Sequence, residues 1–258
     1  IKVILEFPKI NLNTVIRKIN GINYKFYFNF ASRYRGMYLS LNSLPIVNVL
    51  LKYLKRGTVF IDAGANIGYL SAIGAGLVGK KGQVHSFEPV PQYYRKLLEF
   101  KNLNKNYQIY TNNFALGESL GTSNISLSKT IIGWNTMISG LLTPNQVKET
   151  VKVEVKRLDD YIFKKKISNI SLIKIDVEGY EYFLLKGLTE FFESSKESLP
   201  PLIIEIAPSV YPLIDKTLAD LENLMMQYNY CAYSLDEKFQ IDVKKLNKSR
   251  DVLFKQFN

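Results

Sequence analysis

The chain has 258 residues, 47% hydrophobic and 22% charged, enough to bury the core of one large α/β domain. Its single cysteine, Cys231, excludes an intramolecular disulfide and a cysteine-rich zinc site, and fits a reducing, cytoplasmic setting. The net charge of +11 attracts anions, but the lysines are scattered. The densest runs, Lys164–Lys166 and Lys244–Lys245, are short, which argues for solvated faces and against a nucleic-acid partner. No apolar run reaches the ~18 residues of a membrane-spanning helix. The chain begins at Ile1 rather than Met, as expected of a processed or trimmed product.

In chain order, Asn42-Ser43-Leu44-Pro45 predicts a helix start, and Ile46, Val49, Leu50, Tyr53 and Leu54 then share one face until Gly57. Residues 58–62 (TVFID) read as a buried strand, 67–78 as a helix, and 83–88 (QVHSFE) as a second strand stopped by Pro89 and Pro91. Tyr94, Leu97 and Leu98 begin the buried face of the next helix, and 107–111 (YQIYT) form a third strand. Alternation then breaks. "SNISLS" and "VKVEVKR" have period two and predict antiparallel strands of an insertion over 121–157. Regular order returns with strand 171–176, helix 180–193, strand 201–206, helix 213–228 and a closing pair near 230–235 and 251–256. Alternating strands and helices predict a doubly wound parallel sheet covered on both sides, with an antiparallel strand near one edge. Residues 1–56 read as an N-terminal extension and helix packing on the core, and 57–258 as the main domain with its β insertion.

The sheet's first strand hands over to its helix through Asp62-Ala63-Gly64-Ala65-Asn66-Ile67-Gly68. In doubly wound sheets, ligands bind outside the carboxyl ends of the strands. Glycine there admits close backbone approach, and a tight turn needs glycine for structural reasons as well. The second strand ends in Glu88, about 26 residues after Asp62, where a carboxylate holds a ribose diol. The spacing is G-x-x-x-G behind an aspartate, unlike the G-x-G-x-x-G of dinucleotide sites. A pyrophosphate is disfavoured beside Asp62. A cationic, phosphate-free cofactor fits better, and S-adenosylmethionine meets both conditions.

Six segments together resemble the FkbM-type family of S-adenosylmethionine-dependent methyltransferases. They are "VFIDAGANIGYLS" (59–71), "VHSFEPVP" (84–91), "NNFALGE" (112–118), "VKRLDDY" (155–161), "LIKIDVEGYE" (172–181) and "PLIIEIAP" (201–208). They span roughly residues 55–210 in order, and the set is specific where a single member is not. The resemblance implies a class I methyltransferase (Rossmann-like) fold with a seven-stranded sheet. It also implies O-methylation, often of sugars, in glycan or natural-product assembly. By the same resemblance, Asp62, Gly64 and Asn66 line the cofactor's methionine end, Gly68 belongs to the same cofactor-binding turn, Glu88 holds the ribose, and Asn113 and Phe114 flank the adenine.

Asp176 and Glu178 follow an apolar strand, near the expected point of methyl transfer. An alcohol is a poor nucleophile until its proton leaves, so a general base is required. The candidates are Asp176, Glu178 and Glu205, with Asp176 also orienting the cofactor. The helix dipole offers a structural reason for acids at 178 and 181. His85, the only histidine, lies inside a strand and reads as a packed residue. A divalent metal on the three carboxylates is an alternative that the lack of a histidine-rich ligand set disfavours. The acceptor, a small molecule or glycan with anionic or nucleotide-linked forms included, is expected to meet Arg35, Trp134 and Asn135, with Arg33 and Arg157 as further grips for an anion. Two rival readings stand beside this one: an RNA 2′-O-methyltransferase, and a non-catalytic binding module. Against the RNA reading, Lys174 precedes Asp176 by two and is expected to point to the opposite side of the strand tip.

Overall fold

The computed structural model describes residues 14–19, 21–27, 44–129, 135–196 and 198–257. An antiparallel hairpin of β1 (Thr14–Ile19) and β2 (Ile22–Tyr27) precedes helix α1 (Leu44–Tyr53). Ile22 and Tyr24 of β2 and Val49 and Leu50 of α1 are buried in one cluster with Phe60 and Ile73. The Tyr24 hydroxyl donates to the carbonyl of Ile67 at 3.0 Å, fastening the hairpin to the turn that follows β3.

The strand–helix alternation runs β3 (Val59–Ala63), α2 (Tyr69–Val78), β4 (Gln83–Phe87), α3 (Pro91–Leu103) and β5 (Gln108–Asn112). Pro91 starts α3, where its missing N–H costs nothing. The insertion contributes β6 (Ala115–Leu116), β7 (Gly121–Ser128), β8 (Asn135–Thr136) and β9 (Val147–Lys156). Then come α4 (Leu158–Lys165), β10 (Ile170–Ile175), α5 (Glu181–Lys186), α6 (Thr189–Ser194), β11 (Leu202–Ile206), α7 (Leu218–Met226), β12 (Tyr230–Tyr233) and β13 (Arg250–Gln256).

Seven strands form one sheet in the order β12-β13-β11-β10-β3-β4-β5. β3, β4, β5, β10 and β11 pair in parallel, and β13 is antiparallel to both its neighbours, one place in from the edge. Every residue of β3 is buried, as a strand covered on both faces requires. The chain leaves β3 toward β4 and β5, then crosses back to β10 on the other side of β3. That reversal opens a crevice at the carboxyl ends of β3 and β10.

A second sheet, ordered β6-β9-β7-β8, roofs the crevice. β7 and β9 pair antiparallel, as their period-two pattern predicts, and the short β6 adds a parallel pairing with β9. Ile125, Leu127, Val153 and Val155 of this sheet pack on Ile67, Val90 and Tyr93.

Two helix predictions are corrected. The expected helix 180–193 is split into α5 and α6. At the break, a Cβ on Gly187 would strike the carbonyl oxygen of Gly117, and the Gly187 carbonyl accepts from Asp159 N at 3.1 Å. The expected helix 213–228 starts only at Leu218. Pro208–Ile214 instead form a 3-10 turn, and Thr217 and Asp220 make a reciprocal cap, with Thr217 N donating to Asp220 Oδ2 at 2.7 Å. Among the described residues, no helix is long and apolar enough to cross a membrane.

Candidate functional site

Parallel register sets Asp62 of β3 beside Lys174 of β10 and Ser86 of β4. Asp62 is 0% exposed and Lys174 3%. Lys174 Nζ lies 2.9 Å from Asp176 Oδ2 and 3.9 Å from Asp62 Oδ1, and donates to the carbonyl of Gly64 at 3.2 Å. Ser71 Oγ donates to Asp62 Oδ2 at 2.5 Å, which leaves Asp62 Oδ1 buried with no hydrogen-bond partner among the described residues. Burial raises the Asp62 carboxyl above its ordinary range, although Lys174 and Ser71 pull the other way. Burial also acts against the Lys174 ammonium, but Asp176 and Asp62 more than offset it and hold its pKa above the usual lysine value. The expectation that Lys174 points to the far side of the strand tip is therefore wrong. Residues two apart in a strand share a face, so Lys174 and Asp176 lie together.

Glu88 follows β4. Its Oε2 accepts from Asn66 N at 2.9 Å and its Oε1 from Val90 N at 2.8 Å. Burial pushes this carboxyl up to about 7 against those two hydrogen bonds. Gly64 N and Ala65 N donate to the Phe87 carbonyl at 3.0 and 2.9 Å, tying the β3 turn to the end of β4.

These strand ends enclose a cavity of about 430 Å³. The carboxyl groups of Asp62, Glu88, Asp176, Glu178 and Glu205 and the Lys174 ammonium line it, with Ile67, Val90, Phe114, Ile125 and Met137 as apolar wall. Asp176, Glu178 and Glu205 place carboxylate oxygens within 4.8 Å of one another. The pKa values of both Glu178 and Glu205 are raised, by burial first and by the charge of Asp176 second. Such crowding favours a shared proton in the cluster. An all-oxygen set has the donor chemistry of magnesium or calcium rather than zinc.

Of the expected site residues, Asp62, Gly64, Asn66, Glu88, Phe114, Asn135, Asp176, Glu178 and Glu205 all line this one cavity. Gly68 and Asn113 do not. A Cβ on Gly68 would meet Leu97 Cδ1 at 2.8 Å, so this glycine serves the packing of α3. Asn113 Nδ2 donates to the carbonyls of Glu88 and Pro89 at 2.9 and 3.0 Å and braces the loop from behind. Arg35 and Trp134, with Arg33, lie outside the described residues. Arg157 is not a free anion grip: its Nε and one terminal nitrogen donate to Asp159 at 2.9 and 2.5 Å, and that terminal nitrogen also reaches Glu190 at 3.1 Å. His85 is packed as expected. Its ring bonds the Tyr161 hydroxyl and Gln83 Oε1, both at 2.9 Å, and stacks on Tyr110 at 4.6 Å. Burial, then Lys165, lowers its pKa to about 4, so it is neutral at pH 7.

Gly64 lines the cavity and is also demanded by the protein's own packing. Its φ is +79°, and a Cβ there would run into the Asp176 carbonyl. Gly64→Ala is expected to cost about 3 kcal/mol, from left-handed strain plus overpacking, read as a lowered denaturant midpoint. An unchanged midpoint would show that β3 and β10 part easily at their tips.

Comparison with known proteins places these residues in context. Residues 62–235 match the family described as "Methyltransferase FkbM domain". The hexuronic acid methyltransferase AglP of Haloferax volcanii is 24% identical over 208 residues, covering 80% of this chain and 73% of that one. A crystal structure of methyltransferase FkbM from Methylobacillus flagellatus is 20% identical over 77% of this chain, with a TM-score of 0.47. The match spans 44% of that chain's length. A SAM-dependent methyltransferase from Aquifex aeolicus is 13% identical, covering 86% of this chain and 96% of that one, with a TM-score of 0.45.

Proposed function

The chain belongs to the FkbM family of S-adenosylmethionine-dependent methyltransferases, and we propose that it methylates a sugar hydroxyl in glycan or natural-product assembly. The observation that carries this reading is the Asp176–Glu178–Glu205 cluster in the cavity roofed by the insertion. A hydroxyl needs a proton acceptor there, and these carboxylates supply one.

The cofactor suits the donor set. Five carboxyl groups face one ammonium that is already paired, which favours a cation and disfavours phosphate. The buried, unpartnered Asp62 Oδ1 has capacity for a donor. We assign Asp62, Asn66 and Asp176 to the methionine end. Glu88 is assigned to the ribose, because each of its oxygens accepts one backbone N–H and keeps a lone pair for a hydroxyl. Phe114, Ile67 and Val90 offer apolar surface to the adenine. When bound, S-adenosylmethionine supplies a methyl group on a positively charged sulfur, already activated for displacement.

The protein's own tasks are orientation and proton removal. Holding an acceptor in line is worth several kcal/mol, on the order of 7 or more in well-aligned cases. Glu178 takes the acceptor proton, and Asp176 orients the hydroxyl. Glu205, in hydrogen-bond contact with Asp176, holds the shared proton of the cluster. Asn135 and Met137 of the roof meet the acceptor's remaining surface. The relative that acts on hexuronic acid supports a sugar acceptor. The RNA reading is weaker, because Lys174 is buried in an ion pair and is not available to a phosphate.

Calorimetric titration tests the cofactor assignment. S-adenosylmethionine is expected to bind, and Glu88→Ala to weaken it about 10–100-fold, the loss of charge-assisted hydrogen bonds to the ribose. No binding to the parent at millimolar cofactor would remove the reading. A radiolabelled-methyl assay over neutral, amino and uronic sugars then tests the acceptor class.

A further inference from the structure

The chain must turn sharply after β10, between Asp176 and α5. Glu178 stands in this turn at φ +55° and Gly179 at φ +100°. A left-handed glutamate is held only where its surroundings over-determine it. Two contacts do so. From within, Glu181 is 95% buried, and its Oε1 accepts from Val177 N at 2.9 Å and from Gly179 N at 3.1 Å. Those are the two amides flanking Glu178. From outside, a Cβ on Gly179 would lie 3.0–3.4 Å from Val210, Ile138 and Leu141, so the 3-10 turn Pro208–Ile214 beyond β11 and the insertion press on the same peptide.

Glu181 itself does not line the cavity, and Glu178 does. A buried carboxylate with no place at the reacting atoms calls for another explanation than catalysis. We propose that Glu181 is a positioning residue: by gripping the amides on either side, it holds Glu178 pointing into the cavity beside Asp176 and Glu205. Its charge is not what the grip needs. A side-chain carbonyl in the same place accepts the same two hydrogen bonds. The inference rests on the proposed role of Glu178 as base, but the grip can be measured without any acceptor.

The experiment compares the parent, Glu181→Gln and Glu181→Ala by amide hydrogen exchange at Val177 and Gly179 and by carbon-13 titration of the Glu178 carboxyl. In Glu181→Gln both amides are expected to stay protected, with Glu178 still titrating well above the ordinary carboxylate range. In Glu181→Ala protection is expected to fall at least 100-fold, and the Glu178 titration to move toward that range. Affinity for S-adenosylmethionine should stay within threefold in both, because Asp62, Asn66 and Glu88 are untouched and Asp176 keeps its ion pair with Lys174. With a working acceptor, Glu181→Ala should lower kcat at least 30-fold at a near-constant cofactor KM, and Glu181→Gln should recover a third or more of parental kcat. If Glu181→Ala fails to fold, Glu181→Gln carries the test alone. Exposed amides or an ordinary Glu178 titration in Glu181→Gln would overturn the proposal, as would full protection in Glu181→Ala. Failure of the parent to bind S-adenosylmethionine would instead strike the proposed function and leave the exchange result standing.

Discussion

Replacing Lys174 by methionine is expected to destabilise the protein by about 3–5 kcal/mol at neutral pH, the usual cost of removing one partner from a buried ion pair. The size follows from what stays behind. Asp62 is fully buried, with Ser71 on one oxygen and Lys174 as the opposing charge at 3.9 Å on the other. Without the ammonium, two carboxylates at adjacent strand tips face each other, and the carbonyl of Gly64 loses its donor. A surface pair gives the contrast. Lys238 and Asp236 are 72% and 52% exposed, so Lys238→Met should stay within about 0.5 kcal/mol of the parent. The pH dependence has a definite sign. The folded pKa of Asp62 lies above its ordinary 3.8, because burial outweighs Lys174 and Ser71. The native state then holds more protons than the unfolded chain over that interval, and stability falls as pH rises through it. Losing Lys174 raises the folded pKa further and extends the interval upward. The gap between parent and Lys174→Met should therefore narrow on acidification and reach full size toward neutrality. Denaturant midpoints measured at several pH values decide it: a gap independent of pH would mean that Lys174 acts by packing alone.

The same lysine marks a boundary of what the sequence discloses. Asp62, Glu88 and Asp176 are legible as site candidates because each comes at the end of an apolar strand, and the structure gathers all three around one cavity. Lys174 carries an equally plain signal, since a strand with period two sets 174 and 176 on one face. What the sequence hides is the partner strand: only the β3–β10 register shows that Lys174 also meets Asp62. The glycines of the first turn stay ambiguous in sequence for a related reason. Gly64 and Gly68 satisfy the Asp176 carbonyl and the Leu97 side chain, contacts about 112 and 29 residues away in sequence, and no local pattern separates that need from closeness to a ligand. The break in the helix after β10 is likewise dictated by Gly117 across the fold. The start of α7 is the opposite case. Thr217 and Asp220 form a capping box three residues apart, a purely local signal that locates the helix better than its apolar spacing does.

Glu178→Gln is expected to lower kcat about 10²–10⁴-fold while leaving S-adenosylmethionine affinity within a few fold. The amide keeps the side chain's size and one acceptor oxygen but cannot take a proton. The effect should therefore fall on turnover rather than on binding, and KM for the cofactor should barely move. The pH–rate profile separates this from a mere change of shape. Burial first, then the charges of Asp176, Glu205 and Glu181, raise the Glu178 carboxyl well above the ordinary carboxylate range. A base is useful only when deprotonated. The parent's kcat should thus climb as pH rises beyond the ordinary carboxylate range, where an unperturbed glutamate would already have levelled off near pH 5–6. Removing Glu178 should abolish that limb and leave a low, flatter profile. Glu205→Gln makes the opposite test within the same cluster. It takes away one like charge, so the Glu178 pKa should fall and the rising limb should shift toward acid pH. A limb that survives in Glu178→Gln and disappears in Glu205→Gln would transfer the base to Glu205. Loss of cofactor binding in Glu178→Gln would instead assign Glu178 to holding the cofactor.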